Sequence, residues 1–103
     1  EKELPKELND LLGIVLAGYK EHQLTNAKKE ANEAEKNFKI SPKDVRVYLR
    51  DHQYRVVAIY DQKEAAKKDL KKARKTRNSS YLRNLGEWCS REQCKQEYSE
   101  KDQ

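Results

Sequence analysis

Two cysteines, two histidines and a lysine-rich run are the parts of this chain that could do chemistry. Cys89 and Cys94 stand five positions apart. That is neither the two-residue separation of a zinc knuckle or thioredoxin-like site nor a same-face helical pair, because five helical steps leave the thiols about 140° apart. They can bridge only if a helix ends between them, near Ser90 to Gln93, and a bridge implies an oxidising compartment. In an unbroken helix they stay reduced, with Cys89 beside Trp88. His22 and His52 are the only histidines, and no Glu-x-x-His pair accompanies them, so no metal site is expected. Carboxylate pairs such as Glu30 with Glu33 read as solvated face charges. With no Gly-rich phosphate loop and no nucleophile–base pair, the expectation is a protein that is not an enzyme and takes no cofactor.

Basic residues carry a second kind of chemistry. Lys67, Lys68, Lys71, Lys72, Arg74, Lys75 and Arg77 follow one another with only Asp69 among them. On a helical wheel all but Arg77 fan across the side opposite Ala66, Leu70 and Ala73. Clustered cations raise the local potential, so Lys67, Lys68, Lys71, Lys72, Arg74 and Lys75 fit an anion-binding strip for nucleic acid, anionic lipid or an acidic protein. They also fit a solvated face that keeps a charged helix soluble, and no aromatic interleaves with them to stack on bases. Arg46, Arg50 and Arg55 mix instead with Tyr48, Tyr54 and Tyr60. Tyr and Arg bring large contact area at low entropic cost, which makes Tyr48, Arg50, Tyr54 and Arg55 the expected protein-binding residues.

The elements that would position these groups read as helices. Pro5 suits a first helical turn, with Glu3 and Glu7 near the positive end of the dipole. Leu8, Leu12, Val15, Leu16 and Tyr19 share a helical face, and the stripe resumes after Leu24 as Ala27, Ala31, Ala34 and Phe38. One long helix over 5–38 follows, with a break near Leu24 to Asn26 as the alternative. Gly13 and Gly18 would each cost about 1 kcal/mol in its interior, so they mark close approach or a bend. Ser41-Pro42-Lys43-Asp44 reads as a capping hydroxyl before a first-turn proline. From there Val45, Leu49, His52, Val56, Ile59, Lys63, Ala66, Leu70, Ala73 and Arg77 step by fours and threes, predicting a second helix over 42–77. Asn78-Ser79-Ser80, also a glycosylation acceptor triplet, breaks the pattern. Tyr81, Leu82, Leu85, Trp88 and Cys89 then predict a third helix over 80–95, before a frayed tail at 96–103.

Composition agrees with helices. Of 103 residues 40% are charged and 35% apolar, and Ala, Glu, Lys, Leu and Arg make up 53. Three Gly and two Pro leave too little turn chemistry for a sandwich or barrel, and Leu11 to Tyr19 is far too short for a membrane span. Residues 41–77 carry 12 basic and 5 acidic groups, while the segments on either side are each one unit negative. The expectation is therefore an all-α protein: an elongated antiparallel hairpin of two long, coiled-coil-like helices, with a shorter third helix closing a three-helix bundle over one domain. It would act by binding another protein or a second copy of itself, the alternative being electrostatic binding of nucleic acid or an anionic membrane through the second helix. A first residue Glu1 and the lack of any Met fit a mature secreted or periplasmic chain, or one cut from something longer.

Overall fold

Residues 10–89 and 94–100 are described in the computed structural model of the protein. β-Branched and aromatic residues crowd into the runs around Ile14–Tyr19, Val45–Leu49 and Tyr54–Tyr60, and each run is a strand. The order along the chain is β1 (Leu12–Lys20), α1 (Leu24–Phe38), β2 (Asp44–Arg50), β3 (Gln53–Tyr60), α2 (Lys63–Thr76), β4 (Tyr81–Asn84), α3 (Leu85–Trp88) and β5 (Lys95–Ser99). The strands form one sheet in the order β4-β1-β3-β2-β5, every pair antiparallel. The first four strands and the two longer helices make the interleaved β-α-β-β-α-β arrangement known as the split β-α-β motif. β5 adds a fifth strand beside β2.

The all-α expectation is thus overturned: this is an α/β fold, with neither a helical hairpin, a coiled coil nor a three-helix bundle. The helix expected over 42–77 is two strands and one helix. Its apparent heptad arose because Val45 and Leu49 share one face of β2 while Val56 and Ile59, on opposite faces of β3, are both buried; Val45 and Val47 face one way, as do Val56, Ala58 and Tyr60. The hairpin between β2 and β3 turns on Asp51 and His52, both left-handed (φ 54° and 65°), without the Asn or Gly that announces such a turn. His52 accordingly lies at an exposed tip and not on a helical stripe; its ring meets Glu21 at 3.4 Å. The helix expected over 5–38 survives only as Leu24–Phe38, since Leu12–Lys20 is the central strand β1. Its proposed start at Glu3, Pro5, Glu7 and Leu8 lies outside the described residues. The third helix, expected over 80–95, is four residues long, and the tail expected to fray supplies β5 instead.

Two cores follow from the two faces of the sheet. On one face α1 lays Ala27, Ala31, Ala34 and Phe38, and α2 lays Ala66 and Ala73, against Ile14, Leu16, Val45, Val47, Val56 and Ala58. The small helical residues let both helices sit close to the sheet, and Phe38 adds roughly 1.5–3 kcal/mol by its burial. On the other face Leu11, Val15, Val57 and Ile59 are covered by Leu85, Trp88 and Cys89. Gly13 allows that cover to sit down: a Cβ there would lie 2.7 Å from Val57 Cγ1 and 3.0 Å from Leu85 Cδ2. α3 starts on Asn84, whose side-chain oxygen accepts from the Glu87 N–H.

Candidate functional site

The outer side of α2 is the first place where the fold gathers like groups. The inward positions Ala66, Asp69 and Ala73 are buried, and Leu70 is half-buried. That fixes the rotation of the helix, so Lys67, Lys68, Lys71, Lys72, Arg74 and Lys75 are all exposed. Asp69, the acid among them, is turned inward, where it accepts from the Tyr60 hydroxyl at 2.6 Å and the Ser41 N–H at 2.9 Å. Burial and then the bond to Asp69 push the Tyr60 hydroxyl pKa well above its ordinary value. Only Lys72 keeps a contact with that carboxylate, at 3.9 Å. Arg74 Nε donates to the Ser80 carbonyl at 2.9 Å, tying the end of α2 to the entry of β4. Lys72 and Lys75 also line a groove with Thr76 and with Phe38 and Lys39 from the end of α1. Lys39 reaches that position because it caps α1 in the left-handed conformation.

The second gathering is the cover over the other sheet face. Cys89 and Cys94 form a disulfide with Cα atoms 4.9 Å apart, and α3 ends at Trp88, immediately before the first of them. The helix thus stops before either cysteine, earlier than the end near Ser90 to Gln93 that the spacing called for, and neither Cys89 nor Cys94 is helical. Trp88 is 6% exposed, packs edge-on against Tyr48 at 6.0 Å, and carries the Arg50 guanidinium over its ring at 4.8 Å. Arg50 Nε also donates to the Trp88 carbonyl at 3.2 Å. Tyr48 is 3% exposed, and its hydroxyl accepts from Arg46, which is ion-paired with Asp44 at 3.1 Å.

Three of the four residues expected to bind a protein share the cover side of the sheet. Tyr48 and Arg50 serve the cover around Trp88. Arg55 is the register partner of Tyr48 on that side and also lies against Gly18, whose added Cβ would stand 2.9 Å from the guanidinium. Tyr54 alone belongs to the opposite face, half-buried against the helix-side core. The anion-binding set, by contrast, stays together because a helix carries it in either fold. Lys39 was not singled out from sequence. A lysine after the last stripe residue of a helix is common, and only the contact between α1 and α2 brings it beside Lys72 and Lys75.

Among the described residues no group of three or more His, Cys, Asp and Glu side chains is placed to hold a metal ion. Nor is any helix among them long and apolar enough to cross a membrane. Comparison with protein-family models, with curated proteins and with solved structures gave no match.

Proposed function

We propose that this protein is a non-enzymatic binding module that docks on an anionic surface through the outer side of α2. The observation that carries the reading is the placement of charge. α2 bears seven basic residues against two acidic ones, an excess of five, which equals the net +5 of the whole chain. One exposed helix side thus holds the entire imbalance of an otherwise neutral molecule, and such asymmetry orients a protein toward a polyanion. The sheet favours this use of the helix layer. In split β-α-β domains that read single-stranded RNA, aromatic side chains on the sheet face stack with bases. Here the central strands carry Val15, Val57 and Ile59 on that face, beneath Leu85 and Trp88.

The test is charge reversal of Lys67, Lys68 and Lys71 to Glu, with binding to anionic vesicles followed against salt. Wild-type affinity should fall steeply from low to physiological ionic strength, and the variant should lose binding while keeping its circular dichroism. Equal vesicle binding by both proteins would reject the reading.

One observation favours a protein partner as a second reading. The Arg55 Nε–H is buried without a hydrogen-bond acceptor. The Nε itself is enclosed, but the guanidinium end lies over the exposed Gly18, where an incoming carbonyl or carboxylate can meet it. Arg55→Ala should then weaken capture of that partner at any salt concentration, whereas the α2 variant should not.

A further inference from the structure

The groove between the ends of α1 and α2 is more specific than a charged face. Its lining is Phe38, Lys39, Lys72, Lys75 and Thr76: three ammonium groups and a hydroxyl around an aromatic floor, with no carboxylate among the lining residues. The three lysines come from two elements, so the groove exists only in the folded chain. Its base is firm. Phe38 is 4% exposed within the helix-side core, and the Lys39 N–H donates to the Glu35 carbonyl, closing the end of α1. Of the acids nearby, Asp69 faces inward, accepting from Tyr60 and Ser41 through one oxygen while the other meets Lys72 at 3.9 Å.

We infer that this groove seats the phosphate of an anionic phospholipid headgroup, with Lys39, Lys72 and Lys75 as its cationic contacts. The inference rests on the α2 docking reading and names where on that surface the anchoring occurs. Three flexible cations can surround one tetrahedral oxyanion, and lysine is a point-charge phosphate binder that needs no bidentate geometry. The lysine stems offer apolar surface beside the charges, which suits a headgroup whose phosphate adjoins glycerol and acyl carbon. A nucleic-acid phosphate is the weaker fit, because no exposed aromatic borders the groove to stack a base, Phe38 being buried.

The experiment compares two pairs of substitutions that remove the same charge. Lys39→Gln with Lys75→Gln empties the groove of two cations; Lys63→Gln with Lys67→Gln removes two from elsewhere on α2. Each full-length protein is titrated with vesicles of phosphatidylglycerol in phosphatidylcholine, with phosphatidylcholine alone, with a single-stranded oligonucleotide and with inorganic phosphate. The groove pair should lose at least tenfold in affinity for phosphatidylglycerol vesicles, and at least threefold more than the control pair loses, with unchanged urea midpoints. Inorganic phosphate should compete at millimolar concentration against the wild type and not against the groove pair. Equal losses in the two pairs would overturn the seat and leave the α2 reading standing, whereas a wild type indifferent to phosphatidylglycerol would overturn both. Tighter binding to the oligonucleotide than to the vesicles would overturn the lipid assignment.

Discussion

Gly13 and Gly18 separate a helix from a sheet with one experiment. In a helix interior both would gain about 1 kcal/mol on replacement by Ala. In this structure they diverge. A Cβ on Gly13 would stand 2.7 Å from Val57 Cγ1 and 3.0 Å from Leu85 Cδ2, both on fully or nearly fully buried side chains. Val57 is β-branched and held on a central strand, so relief requires shifting the cover at Leu85, and overpacking of this kind costs about 1–3 kcal/mol. Removing glycine from the unfolded chain returns about 0.4–1 kcal/mol, leaving Gly13→Ala with a net cost between about 0 and 2.6 kcal/mol. At Gly18 the nearest atom is the Arg55 guanidinium nitrogen at 2.9 Å, the far end of a flexible side chain at an exposed position. Gly18→Ala should be neutral or stabilised by up to about 1 kcal/mol. Urea unfolding of the two variants beside the wild type measures the difference. Equal stabilisation of both would refute the packing described for β1 and the cover.

Three more expectations test other parts of the fold. Replacing Asp51 and His52 by Asn and Gly should raise stability by about 1 kcal/mol, because both residues are left-handed in a two-residue hairpin turn; a lower urea midpoint would count against that turn. Replacing Cys89 and Cys94 by Ala removes a cross-link whose five-residue spacing is worth about 2 kcal/mol, and the emission of the single Trp should shift red as Trp88 loosens from Tyr48. Unchanged emission and midpoint would mean that the cover does not depend on the bridge. Burial, and after it the hydrogen bond and negative charge of Glu30, push the Tyr19 hydroxyl up to about 12. Its contribution to stability should therefore be complete below about pH 10 and fade as pH rises through 12, the drop being smaller in Tyr19→Phe.

The sequence announced its helices and concealed its strands. Ala27, Ala31, Ala34 and Phe38 are the buried face of α1, and Ala66 and Ala73 are buried on α2, as their spacing indicates. Small residues at steps of three and four admit no other regular reading. The strands failed for a different reason. Val56, Val57, Ala58, Ile59 and Tyr60 are all buried because both faces of the sheet are covered, so the polar–apolar alternation that marks a half-exposed strand is missing. A continuous apolar run fits a helical stripe and a strand equally, and the density of β-branched residues was the signal that should have decided between them. The turn at Asp51 and His52 hid the hairpin further, since its geometry favours residues that are not there.

Charge and covalent chemistry were more legible than packing, and the reason bears on what the site can do. Whether Lys67, Lys68, Lys71, Lys72, Arg74 and Lys75 face solvent depends only on the local wheel of α2, which is the same helix in a bundle or on a sheet. The cysteine spacing likewise constrains only a few residues of chain, and α3 ends before Cys89, so no helix holds the two thiols apart. Tyr48, Arg50, Tyr54 and Arg55 belong to the other category. A helix would put positions 48 and 55 on one face, and the hairpin register does so too by opposing Tyr48 to Arg55, but strand alternation sends Tyr54 to the other face. The same topology that parted Tyr54 from the other three drew Lys39 to Lys72 and Lys75 across 33 and 36 positions of sequence. A chain this short in turn signals therefore reveals what its helices carry individually, while any site assembled between elements has to be read from the fold.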